Sequence, residues 1–520
     1  MDRGPTRRSF ITAVGVAAAA TALGPGKARA APDQAGPAYR PASELMQALI
    51  TRQVSSRELV DAAITRIEAL DPKINAVVVR DFDRAHTAAD AADAALGRDE
   101  RQPLLGLPMT VKEQFNIAGL PTTWGYLKFK DWRPDADALV VRRLKAAGAI
   151  ILGKTNVPVD LGDWQSYNEV YGTTNNPWDP TRSPGGSSGG AAAALAAGFV
   201  PLELGSDIGG SLRAPAHFCG VFSHKPSLDL VPQRGALLPQ TPATPVRGDL
   251  AVIGPMARSA ADLALELAVV AGPDELMDGI GYKLALPPPR HDKLTDFRVL
   301  VIDRHPLCPT AAGISAALDA LADRLAKLGC TVLRTSPKMP DMARTTRNYV
   351  EVLAAFFSAD LSPDDRLRVE AAAQALSPDD LSIPAARLRG LTMSHAAWIR
   401  TSRIRGGLRA GWQRLFEDVD VVLCPPMPTV AFPHDHSSPT WSRQLDIDGR
   451  KVSYDNQLAW AGIATSNWLP ATTMPIGHDD GGLPIGVQII GGYLDDRSTI
   501  AFAGLVEREF GGFVPPPGYA

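Results

Sequence analysis

The sequence predicts an α/β protein in which a sheet is covered by helices on both faces. Short apolar runs alternate with amphipathic ones along nearly the whole chain, the pattern left by strands joined through helices. The composition, 45% hydrophobic and 21% charged over 520 residues, is enough for one large core or two domains. No internal repeat is present.

The elements follow in order. Ser55-Ser56-Arg57-Glu58 has a capping-box pattern, and Val60, Ala63, Ile64, Ile67 and Leu70 then recur at helical spacing. Ile74 to Val79 reads as a strand, Asp83 to Leu96 as an Ala-rich helix and Pro108 to Lys112 as a strand. Asp137 to Ala147 reads as a helix stopped by Gly148, with a strand from Ala149 to Leu152. Ala191 to Ala197 is helical and Pro201 to Leu204 a strand. Phe297 to Ile302, Ala311 to Leu328 and Cys330 to Arg334 form a β-α-β unit. Residues 342–417 are almost wholly helical, and Asp418 to Cys424 returns to strand. Thr472 to Ile476 and Ile485 to Ile490 pair through a Gly481-Gly482 turn, and Ser498 to Glu507 is the last helix. Pro287 to Pro289 is the best linker candidate, joining subregions of one domain.

The N-terminus reads as a targeting segment. Thr6-Arg7-Arg8-Ser9-Phe10-Ile11 resembles a twin-arginine signal. The apolar stretch Ile11 to Leu23 is too short to span a bilayer, and Ala28-Arg29-Ala30 is a small-x-small cleavage site. Residues 1–30 are therefore expected to be a signal peptide, with a single domain over 31–520 that is exported folded to the periplasm or beyond. The plainer alternative is a basic tail. Four cysteines without a C-x-x-C argue against a disulfide scaffold or zinc site. A net charge of −3 implies no general attraction to nucleic acid or anionic membrane.

The chemistry concentrates between Ser183 and Ser227. Gly185-Gly186-Ser187-Ser188-Gly189-Gly190 and Gly205-Ser206-Asp207-Ile208-Gly209-Gly210-Ser211 each open an apolar segment. Serines among such glycines can present hydroxyls and bare N–H groups together, which acyl transfer needs. Taken alone, each residue has a plainer reading. Lys112 fits a solvated strand end, Ser187 and Ser188 fit loop hydroxyls, and Ser211 fits the cap of a Leu212–Phe218 helix.

Together these clusters resemble the amidase signature family. Leu107-Pro108-Met109-Thr110-Val111-Lys112-Glu113 is similar to its lysine-bearing strand. Gly153-Lys154-Thr155-Asn156, Asn175-Asn176-Pro177-Trp178-Asp179-Pro180 and Gly482-Leu483-Pro484-Ile485-Gly486-Val487-Gln488 follow in family order. The resemblance runs from about residue 40 to the end and implies a large, twisted, mixed central sheet. It implies Ser211 as nucleophile, Ser187 as bridging serine and Lys112 as base, a serine–lysine variant of the usual triad. It implies an oxyanion hole at the N–H groups of Ile208, Gly209, Gly210 and Ser211, and a cis peptide at Gly186–Ser187. Asp207 and Arg213 read as a structural pair bracing the loop, with Ser188 in the same network. The chain departs from the family at Glu113, where Asp is common, and at Ser223, where Gly is common; both bear on loop detail or specificity.

Other motifs carry less. Gly148 to Thr155 matches G-x-x-x-x-G-K-[ST], but its middle residues read as the strand itself and Pro158 hinders a following helix. Gly185 to Gly189 matches G-x-S-x-G without the buried strand a nucleophile elbow needs. His434-Asp435-His436 has no third metal ligand spaced near it, and His217 reads as a packing residue.

The expected activity is therefore that of an exported amidase acting through an acyl-serine intermediate on carboxylic amides, with anilides, esters and carbamates open. No metal or cofactor is expected. Its partners are a small-molecule amide and water, without nucleic acid or stable membrane insertion, and a homodimer is left open. Two alternatives stand: the amidotransferase subunit that works on misacylated tRNA, and a non-catalytic periplasmic binding protein. The helical segment 342–417 is expected to cover the active site. Trp124, Tyr126, Trp164, Tyr167, Trp460 and Trp468 divide between pocket and core in a way the sequence does not decide.

Overall fold

The computed structural model describes residues 37–245 and 248–519. The signal-like segment 1–30 lies outside them. Eleven strands form one mixed sheet in the order Val77–Arg80, Ile150–Thr155, Pro108–Lys112, Leu202–Asp207, Val252–Ala257, Phe222–Lys225, Ala471–His478, Pro484–Ile490, Val421–Cys424, Arg298–Val301, Thr331–Leu333. Pro108–Lys112 runs parallel to both neighbours, and Arg298–Val301 does the same near the far edge. The strands between are antiparallel. Strands from both sides of Pro287–Pro289 join this sheet.

The predicted elements recur with small shifts. The helix Ser56–Ile74 is entered through a full capping box: Ser55 Oγ accepts from Glu58 N at 3.1 Å and Glu58 Oε2 accepts from Ser55 N at 2.8 Å. The strand expected from Ile74 starts only at Val77. Ile74 is still helical, Asn75 turns with φ 60°, and the buried Asp71 carboxylate takes the Ala76 N–H at 2.7 Å. That local cap extends the helix into what alternation alone assigns to the strand.

Several elements have no counterpart among the predicted ones. Phe222–Lys225 and Val252–Ala257 lie in the middle of the sheet, and the helices Ala260–Val270 and Leu458–Ser466 are likewise additional. Phe222-Ser223-His224-Lys225 has a single apolar residue, and the other runs are too short or too uniform to show a period.

The site rests on two short helices. Gly189–Ala196 is buried along its whole length. It passes so close to a neighbouring turn that a Cβ on Gly190 would lie 2.4 Å from Asn156 N, which glycine alone permits. Arg213–Cys219 has Leu212 at its N-cap with no side-chain cap bond, so Ser211 is not spent as a cap. Asp207 does that work instead, accepting from Gly210 N at 3.0 Å and Leu212 N at 3.1 Å. Residues 342–417 form the helices Met342–Phe357, Pro363–Gln374, Ile383–Leu391 and His395–Leu415. Each begins at an Asp or Ser whose side chain takes a free N–H of the first turn.

Candidate active site

Lys112 ends its strand inside the protein, with no exposed surface. Its Nζ lies 2.7 Å from Ser187 Oγ and 2.8 Å from Ser206 Oγ. Ser187 follows a cis Gly186–Ser187 peptide. Burial lowers the Lys112 amine from its usual range to about 7, against the pull of the Asp207 and Glu203 carboxylates. An amine at that value is substantially neutral near physiological pH, as a proton acceptor must be.

Ser211 stands on the loop after the strand Leu202–Asp207 and is 5% exposed. The two serine clusters are tied directly. Ser188 N donates to Ser211 O at 3.2 Å, and Ser188 Oγ donates to Ser206 O at 3.2 Å. Asp207 and Arg213 form a fully buried bidentate pair at 3.0 and 2.8 Å. Arg213 spends its remaining N–H groups on Ala461 O, Gln488 Oε1 and Thr465 Oγ1. This satisfaction is what makes the charge tolerable there.

The loop's N–H groups divide. Gly210 N–H is held by Asp207 Oδ1. Those of Ile208, Gly209 and Ser211 have no protein acceptor among the described residues. Tyr349 Oη donates to Ile208 O at 2.7 Å, and Trp164 Nε1 donates to Gly209 O at 2.9 Å. Holding the Ile208 carbonyl turns the Gly209 N–H the opposite way, because the two groups of a trans peptide are antiparallel. Gly210 adopts φ 95°, where a side chain would be strained.

A cavity of about 310 Å³ opens onto Ser211, Ile208 and Gly209. Trp164, Leu161, Val350, Leu353, Phe357, Leu391 and Leu458 supply its apolar wall. The helices Met342–Phe357 and Ile383–Leu391 thus close one side of it. Asp160, Asp163, Arg387 and Asp455 are its charged residues. Asp163 is tied to Arg443 at 2.6 Å and to Tyr454 at 2.6 Å, and Arg387 stands 3.9 Å from Asp455.

Of the six aromatic candidates, Trp164 lines this cavity. Trp460 is buried in the core and donates to Thr310 at 3.0 Å. Trp468 lies under the Arg409 guanidinium, 3.0 Å from the ring centroid, and Tyr167 stacks on His436 with centroids 3.7 Å apart. Trp124 Nε1 donates to Gln114 O at 3.3 Å, and Tyr126 packs edge-on against Phe129.

Other singled-out residues hold structural positions. His217 accepts from Gly486 N at 2.7 Å and lies 3.0 Å from Thr429 O, and burial lowers it to about 4. Lys154 lies on the strand Ile150–Thr155, and its Nζ donates to Thr122 Oγ1 at 2.8 Å. Glu113 accepts from Thr123 N, Trp124 N and Tyr171 Oη at 2.6, 3.0 and 3.0 Å, organising the following loop. Ser223 is buried on a central strand.

Sequence reasoning missed Ser206, Gln114 and Tyr349. Ser206 sits inside the second glycine cluster, so that cluster's own hydroxyl content was its signal. Gln114, two residues past Lys112, and Tyr349, on a covering helix, carried none.

Comparison with known proteins agrees with this architecture. A family model described as "Amidase" matches residues 58–500. A glutamyl-tRNA(Gln) amidotransferase subunit of Anaeromyxobacter sp. (strain K) is 33% identical over 491 residues, covering 90% of this chain and 95% of that protein. The protein of the same name from Thermus thermophilus is 33% identical, covering 89% and 96%. Among solved structures, an inhibitor-bound vestigial protein complex related to the origins of an s-triazine catabolic enzyme superimposes with TM-score 0.76. It is 30% identical and covers 91% of this chain and 99% of its own. A 6-aminohexanoate cyclic dimer hydrolase with substrate superimposes with TM-score 0.71 at 25% identity, covering 91% and 98%. No helix among the described residues is long and apolar enough to cross a membrane. The chain belongs to the amidase family and is a hydrolase of carbon–nitrogen bonds.

Proposed function

We propose that the protein is an exported amidase using Ser211, Ser187 and Lys112 as its catalytic residues. The observation that carries this reading is the solvent-free Lys112 amine, 2.7 Å from Ser187 Oγ, behind a cavity that exposes Ser211. Ser211 Oγ attacks the substrate carbonyl carbon while Ser187 passes the Ser211 proton to Lys112. The oxyanion is received by the N–H groups of Ile208, Gly209 and Ser211, with Gly210 serving the turn. On collapse the proton returns through Ser187 to the leaving amine, and water then hydrolyses the acyl-Ser211 ester.

The substrate is a carboxylic amide with an apolar acyl or aryl group, which the wall of Trp164, Leu353, Phe357 and Leu458 fits. A panel of anilides, primary amides, esters and carbamates identifies it. Ser211→Ala should abolish turnover without lowering the melting temperature much. Intact-mass spectrometry with an activated ester should show an acyl adduct on wild type and none on the variant. An adduct mapped to Ser187 would reverse the two serine roles.

A second reading, an amidotransferase subunit that works on misacylated tRNA, draws on the curated relatives of that name. The twin-arginine-like Arg7-Arg8 segment and the net charge of −3 favour the exported amidase. Amide hydrolysis by the purified chain alone, with no transamidation of glutamyl-tRNA in a reconstituted system, separates the two.

A further inference from the structure

Lys112 has a second hydrogen-bond neighbour besides Ser187, namely Ser206 at 2.8 Å. A neutral amine carries two N–H groups and one lone pair, and base catalysis needs the lone pair. A hydroxyl beside it can accept from an N–H, or it can turn its own proton onto the lone pair and occupy the base. The polarity of the Ser206 hydroxyl therefore decides whether Lys112 is free to act.

That polarity is set by a chain of groups with no choice. Ala236 O can only accept, and Gln114 Nε2 donates to it at 3.3 Å. The amide nitrogen of Gln114 is thereby committed, and its Oε1 faces Ser206. Oε1 also can only accept, so the Ser206 proton lies on Gln114. Ser206 Oγ then offers Lys112 only lone pairs. Gln114 is 4% exposed and Ser206 9% exposed, so water does not compete freely for either group.

We propose that Gln114 and Ser206 are positioning residues forming a hydrogen-bond polarity lock, which keeps a Lys112 N–H on Ser206 and leaves the lone pair for Ser187. The proposal rests on the reading of Lys112 as base. Asp207 and Glu203, both on the strand Leu202–Asp207, are the titratable groups acting on Lys112, and neither belongs to the lock.

The test is the second-order rate of Ser211 phosphonylation by a fluorophosphonate probe, measured against pH on the purified full chain. Ser206→Ala and Gln114→Leu should lower the plateau rate about 10²-fold, the cost of misorienting a reacting group. Ser206→Ala should also move the acidic limb to lower pH, because it removes an acceptor that favours the ammonium. Gln114→Glu is nearly isosteric and keeps the acceptor while adding a negative charge, so its limb should move to higher pH. Ser206→Thr should recover most of the rate that Ser206→Ala loses.

A merely structural role would lower rates without moving the Ser206→Ala limb, and that result overturns the lock. Wild-type plateau and limb in Gln114→Leu and Ser206→Ala, with Lys112→Ala unreactive, overturns the lock alone. Labelling of Lys112→Ala at the wild-type rate removes the base assignment and the lock with it. The Ser206→Ala limb and its recovery in Ser206→Thr keep the proposal decidable should the leucine variant fail to fold.

Discussion

Lys112 is unusual because it is charged in water and stripped of water in the fold. Desolvation outweighs two nearby carboxylates and brings its amine to about 7. With Lys112 as the proposed base, the amine below that value carries a proton and cannot accept one, and above it is free to act. kcat/KM for an amide should therefore rise through about pH 7 and level off. Lys112→Ala should lose that acidic limb and about 10²–10⁴-fold of amide turnover, the usual share of a general base. Esters should lose less, because an alkoxide leaves with less need of a proton. The check is a matched amide and ester assayed across pH in both proteins; a mutant that keeps the limb shows another group to be the base. Asp207 illustrates the opposite balance. Its burial is outweighed by the bidentate Arg213 and the N–H of Leu212, which hold its carboxyl down at about 2.

At the scale of elements, close approach of backbones sets the site. The buried helix Gly189–Ala196 brings its first turn against Asn156. Gly190→Ala would gain about 1 kcal/mol of helix propensity. It would also press a Cβ to 2.4 Å from Asn156 N, and overpacking of that kind costs about 1–3 kcal/mol. The clash should win, so the variant should melt below wild type in a thermal scan. The strand pairing Thr110 with Glu203 places a carboxyl on the same face as Lys112. Thr110 Oγ1 donates to Glu203 at 2.6 Å, and burial raises Glu203 to about 8 from an ordinary 4.5. A raised carboxyl contributes stability fully below its unfolded value and loses it as pH climbs to the folded one. Between 4.5 and about 8 the wild type should lose about 1.4 kcal/mol per pH unit from this group. Glu203→Gln should therefore gain melting temperature over wild type as pH rises through that window; a constant offset would show Glu203 ionised in the fold throughout.

The whole molecule combines an amidase-family hydrolase fold with an N-terminal segment that has the marks of an export signal. Our proposal of folded export predicts that replacing Arg7 and Arg8 together by lysine leaves the protein in the cytoplasmic fraction. Fractionation of a host with a twin-arginine system checks this, and unchanged export of the variant would exclude that route. The site around Lys112 draws its parts from distant stretches of chain. Lys112, Ser187, Ser206 and Ser211 come from the first half, while Tyr349 and the wall residues Leu353, Phe357 and Leu458 come from the second.

The sequence by itself determined the elements whose signals are local. The capping box at Ser55, the strand Pro108–Lys112, the β-α-β unit near residue 300 and the helical stretch 342–417 all depend on neighbours a few residues apart. It also marked the two glycine–serine clusters as the place for chemistry, because their hydroxyls and bare N–H groups suit acyl transfer once the family resemblance is added. Tertiary structure alone decided the rest. The central strands Phe222–Lys225 and Val252–Ala257 are buried on both faces, so no alternation marks them. Trp164 faces the cavity while Trp460 lies in the core, a division that depends on which helix packs where. Hydrogen-bond polarity at Lys112 runs from Ala236 through Gln114 and Ser206, and residues so far apart meet only in the fold. The basicity of Lys112 was likewise decided there, since the removal of water is a property of the packed interior and not of any short stretch of chain.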